Sequence, residues 1–187
     1  MTNWWIVRVL GVAAMIAAPA FADEKAKTAA MEMPKPPEQV AAAAKAMGGT
    51  WHCNATAAES PMGPAHKYEA TMSWKLSPDK YWIVGAYAEK KSKEHPIAYK
   101  FMEYRTYDTK AGKWVSAHIN EMGELLTGTG TGDAKGENWT LKAVTTPMMP
   151  GEFHLTSTAK SAKEIEFKGE MIAPDGAKPA FTATCKK

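Results

Sequence analysis

From Gly49 to the C-terminus the chain repeats with a period of two. Tyr68, Ala70, Met72, Trp74 and Leu76 alternate with Lys67, Glu69, Thr71, Ser73 and Lys75. Ile165, Phe167, Gly169 and Met171 alternate with Glu164, Glu166, Lys168 and Glu170, and Trp139 and Leu141 alternate with Asn138, Thr140 and Lys142. Successive strand side chains point to opposite faces, so each run reads as a strand with one buried and one wet face. Turn residues separate the runs at Ser77-Pro78-Asp79-Lys80, Thr109-Lys110-Ala111-Gly112, Gly132-Asp133-Ala134-Lys135-Gly136, Pro147-Met148-Met149-Pro150-Gly151, Ser161-Ala162-Lys163 and Pro174-Asp175-Gly176. About ten strands result, near 49–57, 66–76, 80–90, 97–108, 113–121, 124–132, 137–144, 152–159, 163–172 and 180–186. Even spacing with short connections predicts an all-β, up-and-down antiparallel barrel or sandwich.

Upstream the pattern changes. Glu38 to Met47 is rich in helix formers, with Pro37 at its start and Gly48-Gly49 at its end, which predicts a short helix over 37–47. A helix directly preceding a barrel commonly caps one mouth. Residues 23–36, charged and then proline-rich, read as a flexible linker. Residues 1–22 carry one cation, Arg8, an apolar run from Val9 to Ala18, and Ala20-Phe21-Ala22 before Asp23. That is the pattern of a cleaved signal peptide rather than of a membrane span, which needs about 20 apolar residues. The expectation is an exported chain, periplasmic or secreted, without stable membrane insertion after cleavage.

Cleavage would leave 165 residues, Asp23 to Lys187, enough for one domain, here 37–187, with a sizeable core. The net charge falls from +3 to +2 with the loss of Arg8. Lysines are spread along the chain without a basic stripe or an aromatic and arginine-rich platform, which argues against nucleic acid as a partner.

The only two cysteines, Cys53 and Cys185, bracket the strand region. They can meet only if the first and last strands are neighbours, the condition for barrel closure. An even number of meander strands makes those two antiparallel. Pairing Cys53 with Cys185 then sets Trp51 opposite Lys187 and His52 opposite Lys186. Cys185 shares a face with Phe181 and Ala183, so a bridge would lie inside the barrel or at its end. In an oxidising compartment a disulfide is the expected state. Closing so long a loop stabilises by roughly 4–5 kcal/mol on the chain-entropy account.

Gly49-Thr50-Trp51 after a short helix resembles the Gly-x-Trp opening of lipocalin and other calycin-type barrels. The run Tyr107-Asp108-Thr109-Lys110-Ala111-Gly112-Lys113-Trp114-Val115-Ser116, followed by Asn120-Glu121-Met122-Gly123, Gly130-Thr131-Gly132-Asp133, Trp139-Thr140-Leu141 and Pro174-Asp175-Gly176, resembles a widespread family of bacterial exported domains of unknown function. The resemblance spans most of 37–187. It implies a calycin-like β-barrel, of which nitrobindin-like haem barrels are structural cousins, and no agreed activity. Two departures stand out: His118 occupies a strand position usually aromatic, and Thr184-Cys185-Lys186-Lys187 replaces an ending with an aromatic followed by Arg and Lys. Lys187 can substitute in part for that arginine through a cation–π contact with Trp51.

Chemistry is sparse. His52, His66, His95, His118 and His154 show no zinc-type spacing, and no cofactor is predicted. His118 and His154 lie within strands and are the weak candidates for a metal or haem ligand, although the neighbours of His154, Phe153 and Leu155, place it on the wet face. Gly128-Thr129-Gly130-Thr131-Gly132 lacks the strand-to-helix setting of a phosphate loop and instead lets a strand bend or a group pack on its backbone. Glu103 and Arg105 share parity with Tyr99, Phe101 and Tyr107; if Phe101 is inward they form a lumen pair able to hold a polar head. The ordinary alternative, Met102 and Tyr104 inward with both charges in water, is preferred. The 80–90 strand is apolar on both faces, so its outer face can meet the helix or a second subunit in a homodimer. No nucleophile elbow, Cys/His pair or spaced carboxylate pair supports catalysis.

The expected function is non-enzymatic binding of an unknown small, mainly apolar molecule in the lumen. Tyr68, Met72, Trp74, Tyr87, Phe101, Glu103, Arg105, Trp139, Phe153 and Phe167 are the candidate lining residues. The first alternative is a structural or interaction barrel filled by the same aromatics. The second is a haem-binding or enzymatic barrel using a lumen histidine.

Overall fold

The computed structural model describes residues 33–60, 63–145, 151–172, 176, 178 and 180–187. The expected signal peptide and most of the linker lie outside the described residues, as do parts of the turns at 147–151 and 174–176. The chain divides into residues 1–34 and 35–187, and the second unit is the barrel. It consists of α1 (Glu38–Met47) and the strands β1 (Gly49–Ala57), β2 (His66–Leu76), β3 (Ile83–Glu89), β4 (Lys100–Asp108), β5 (Lys113–Asn120), β6 (Leu125–Asp133), β7 (Gly136–Ala143), β8 (Glu152–Ser161), β9 (Glu164–Ile172) and β10 (Ala180–Lys186).

Every strand pairs with its sequence neighbour, and β1 pairs antiparallel with β10 to close a ten-stranded barrel. The seam register sets Cys53 opposite Cys185 and His52 opposite Lys186, and the two cysteines form a disulfide with an S–S distance of 2.01 Å. Cys53 and Cys185 are 4% and 1% exposed, on the interior face. One residue further on, the Lys187 ammonium lies 4.6 Å from the centroid of the Trp51 ring and donates to the Ala46 carbonyl at 3.2 Å. The C-terminal lysine thus ties the seam to the helix.

α1 buries Val40, Ala43, Ala44 and Met47, a single stripe at helical spacing. A helix this short persists through packing, and this stripe closes the mouth formed by the start of β1 and the ends of β2 and β4. The Trp51 indole donates to the Met47 carbonyl at 2.7 Å, so the last helical turn is bonded to the first strand. Beneath it, Trp51, Trp74, Ile83, Trp114, Trp139, Ile165 and Phe167 fill the capped half as one core. Gly130 faces inward and the Trp139 ring packs flat on its backbone; a Cβ there would sit 2.6 Å from the indole. The glycine-rich stretch of β6 therefore makes room for an aromatic ring.

The structure departs from the sequence pattern in two places. β3 begins at Ile83 rather than near 80, because the Asp79 carboxylate accepts the Tyr81 N–H at 3.2 Å and Lys80 adopts φ 65°, which carries the turn on to Trp82. In β4, Glu103 and Arg105 point inward with Phe101, while Met102 and Tyr104 are each 39% exposed. The preferred register was the wrong one: buried partners on β2 and β7 hold these charges in place. Outside, Trp82, Met102, Tyr104 and Ile119 form an exposed apolar strip across β3 to β5, which α1 leaves uncovered as it sits at the mouth.

Candidate functional site

All ten candidate lining residues have inward parity, but they divide into two environments. Met72, Trp74, Trp139 and Phe167 are buried in the capped half. Tyr68, Tyr87, Phe101 and Phe153 lie toward the opposite mouth and are half-buried. Glu103 and Arg105 stand at the boundary between the two halves.

That boundary is a charged floor. Arg105 donates through Nη1 to Glu137 Oε2 at 2.9 Å and through Nη2 to the Met47 sulfur at 3.1 Å. Its guanidinium carbon lies 5.4 Å and 5.8 Å from the ring centroids of Trp74 and Trp139. The two indoles complete the arrangement, Trp74 donating to Glu103 Oε2 at 3.0 Å and Trp139 to Glu137 Oε2 at 3.1 Å. Gly85 makes this possible: a Cβ there would come within 2.8 Å of the Trp74 ring and 3.1 Å of Glu103 Oε2. Burial works to raise the Glu103 carboxyl, but Arg105, His118 and the Trp74 N–H together hold it below its ordinary value. His118 is lowered chiefly by burial and secondarily by Arg105, against the pull of Glu103.

Above the floor the lumen is aromatic. Tyr87 stacks on Phe101 at 4.8 Å, Phe101 meets the His118 ring at 5.2 Å, and Phe153 lies parallel to Phe181 at 5.9 Å. Gly169 faces that last pair, and a side chain there would collide with both rings. Leu126, Leu155, Met171 and Phe181 join Phe101, Phe153 and His118 as axis-facing side chains that are only half-buried.

At the rim, the β3–β4 connection is pinned by a relay. Glu89 Oε2 accepts from the Tyr99 N–H at 2.7 Å and pairs with His95 Nε2 at 2.8 Å, and His95 Nδ1 lies 2.9 Å from His66 Nε2. Tyr68 stacks on His95 at 4.7 Å, and its hydroxyl is pushed up to about 12 by burial and then by the Glu89 charge. Burial likewise raises Tyr87, whose hydroxyl donates to Glu89 Oε1 at 3.0 Å. Asn120 Nδ2 donates to the Tyr99 hydroxyl at 3.0 Å and also to Glu124.

The two histidines singled out as ligand candidates separate. His118 is inward, with Nε2 3.8 Å from Glu103 Oε1. His154 is on the outer face, paired with Glu152 Oε1 at 2.6 Å. No group of three or more metal-ligating side chains occurs among the described residues. The sequence reading missed Ser116, Glu137, Leu126 and Phe181. Ser116 shares the parity of Trp114 and Glu137 that of Trp139, the signal that could have placed them; the His66–His95 contact spans a loop and carries no spacing signal.

Two clefts lie outside the lumen. One, of about 560 Å³, sits on the outer face of β6 to β10 among Thr129, Asn138, Thr140, His154, Lys168 and Thr182. The other, of about 650 Å³, runs between α1 and the β6–β7 and β8–β9 turns, with Lys45, Lys135 and Lys187 at its edge.

Among known proteins, the family model described as "Protein of unknown function (DUF1579)" matches residues 36–186. The chain is similar in fold to the crystal structure of Rv2717c from M. tuberculosis, with a TM-score of 0.61 at 11% identity over 82% of this chain and 99% of that one. A redesigned β-barrel, b11L5F_LGL, aligns with a TM-score of 0.41 at 14% identity over 78% of this chain and 95% of that one. No curated protein matches.

Proposed function

We propose that this chain, which belongs to the DUF1579 family of proteins of unknown function, is a non-enzymatic barrel that binds a small, mainly apolar molecule through its open mouth. One observation carries the reading. Side chains that face the axis in the open half (Phe101, Leu126, Phe153 and Met171) are only partly buried, whereas the capped half is a buried core beneath α1. Axis-facing apolar surface that water still reaches is surface a ligand can desolvate, at roughly 25 cal/mol per Å². An apolar wall with a few convergent polar groups at its base is the usual composition of a small-molecule pocket.

The packed half favours a second reading, a structural barrel with no ligand. Native mass spectrometry of protein purified from its own host separates the two. The binding reading expects a co-purifying mass that disappears in Leu126→Trp, which fills the mouth; a bare protein mass in both would leave the structural reading. No cofactor belongs to the proposal, so haem titration is expected to give no shift or sharpening of the Soret band relative to free haem. We further propose that the chain works outside the cytoplasm. The disulfide supports this, as does the leader-like pattern of 1–22. No helix among the described residues is long and apolar enough to cross a membrane.

A further inference from the structure

Glu103, His118, Arg105 and Ser116 form one contiguous patch on the inner wall, because Glu103 is the cross-strand partner of His118 and Arg105 that of Ser116. The formal charge of the floor does not balance. Two acidic side chains, Glu103 and Glu137, face one guanidinium, and all three residues are less than a tenth exposed. Arg105 is committed to Glu137 and Met47, and its Nε stands 3.8 Å from Glu103 Oε1, beyond hydrogen-bond range. His118 does not supply the missing charge, since burial and Arg105 disfavour its protonated form.

A second, independent observation concerns hydrogen bonding. Among the described residues, Arg105 Nε, Ser116 Oγ and Glu137 Oε1 are buried without a partner, although Ser116 and Glu137 are only 7% and 4% exposed. Ser116 Oγ and Glu137 Oε1 can each accept a hydrogen bond from a ligand donor, whereas Arg105 Nε is itself a donor and faces Glu103 Oε1. The strand beside Ser116 presents Gly128, where a Cβ would lie 3.1 Å from Ser116 Oγ and collide with Leu141 Cδ2, so an apolar methyl and no polar β6 side chain borders the hydroxyl. Glu103 keeps 11% of its side-chain surface open, with Oε1 3.8 Å from both Arg105 Nε and His118 Nε2.

We propose that the lumen selects an apolar molecule carrying a protonated amine, the ammonium seated against Glu103 Oε1 and Ser116 Oγ and the apolar body pointing to the open mouth. This rests on the lumen-binding reading above. An ammonium offers three donors and no acceptor, which suits a carboxylate oxygen, a hydroxyl and the unprotonated nitrogen of a neutral imidazole. It also brings the one positive charge the floor lacks. A carboxylate head of the same size would add a third negative charge to a desolvated site, which is strongly unfavourable.

The test compares n-octylamine, octanol and octanoate, which share a chain and differ in the head, by calorimetry at pH 7. The amine is expected to bind roughly tenfold tighter than the alcohol, the scale of one charge-assisted contact, with octanoate weakest. Glu103→Gln keeps an acceptor for the Trp74 indole and should erase most of the preference for the amine over the alcohol. Ser116→Ala should weaken the amine selectively and guards against misfolding of the first variant. Octanol binding with no amine preference, or octanoate binding as tightly, overturns the head-group assignment alone. Failure of all three probes to bind overturns the lumen reading and this inference with it.

Discussion

Replacing both cysteines, as Cys53→Ala with Cys185→Ala, removes the covalent latch without placing a polar group on the interior face where both residues sit. The two positions are 132 residues apart in sequence. A cross-link of that span restricts the unfolded chain by about 5 kcal/mol on the entropy account, and loss of a native bridge typically costs about 2–5 kcal/mol. For a domain of this size each kcal/mol moves Tm by roughly 2–4 °C, so a drop of about 10–20 °C is expected at the upper end. The assay is thermal unfolding by calorimetry and circular dichroism for oxidised protein, reduced protein and the double variant. Because the latch acts mainly on the unfolded chain, the native spectra of all three should coincide. Reduced protein and variant should share one lowered Tm. A variant within about 2 °C of the oxidised protein would refute the claim that this bridge constrains the seam.

Other consequences follow from the floor and the cap. Arg105→Met strands two buried carboxylates and should cost about 3–5 kcal/mol in denaturant unfolding; an unchanged midpoint would mean the charges are solvated. Gly85→Ala forces a methyl group against the Trp74 ring and its bond to Glu103, with an expected cost of about 1–3 kcal/mol and a shift in tryptophan emission. On acidification both lowered groups act in the same direction. The unfolded chain takes up a proton at His118 below its ordinary 6.5 and at Glu103 below its ordinary 4.5, before the folded state does. Stability should therefore be complete above about pH 7 and decline in two stages as pH falls, and His118→Asn should flatten the first stage; a flat Tm from pH 7 to 5 in the parent would contradict this.

The architecture was largely legible because half-buried strands announce their faces. Tyr68 to Leu76 and Ile165 to Met171 alternate cleanly, and the two cysteines identify the seam. β4 was not legible, since Phe101 and Tyr107 on one face are matched by Met102 and Tyr104 on the other. Period-two reasoning has nothing to discriminate there. What decides the register is the pairing of Arg105 with Glu137 and of Glu103 with the Trp74 indole, contacts across 32 and 29 residues that no local pattern encodes. The start of β3 failed for the opposite reason. Tyr81 and Trp82 look like strand residues, but the Asp79 side chain satisfies the Tyr81 N–H and keeps the chain in its turn. The division of the lining residues into a filled half and an open half also depends on where α1 sits, which the order of elements suggests without saying which rings it covers.

We propose that the open half of the lumen accepts an apolar molecule. Titration with the neutral fluorophore N-phenyl-naphthylamine tests it most directly. A saturable fluorescence rise at one probe per chain is expected in the parent, displaced by n-octylamine and abolished in a folded Leu126→Trp variant. A rise that is absent, or that persists undiminished in that variant, would contradict it.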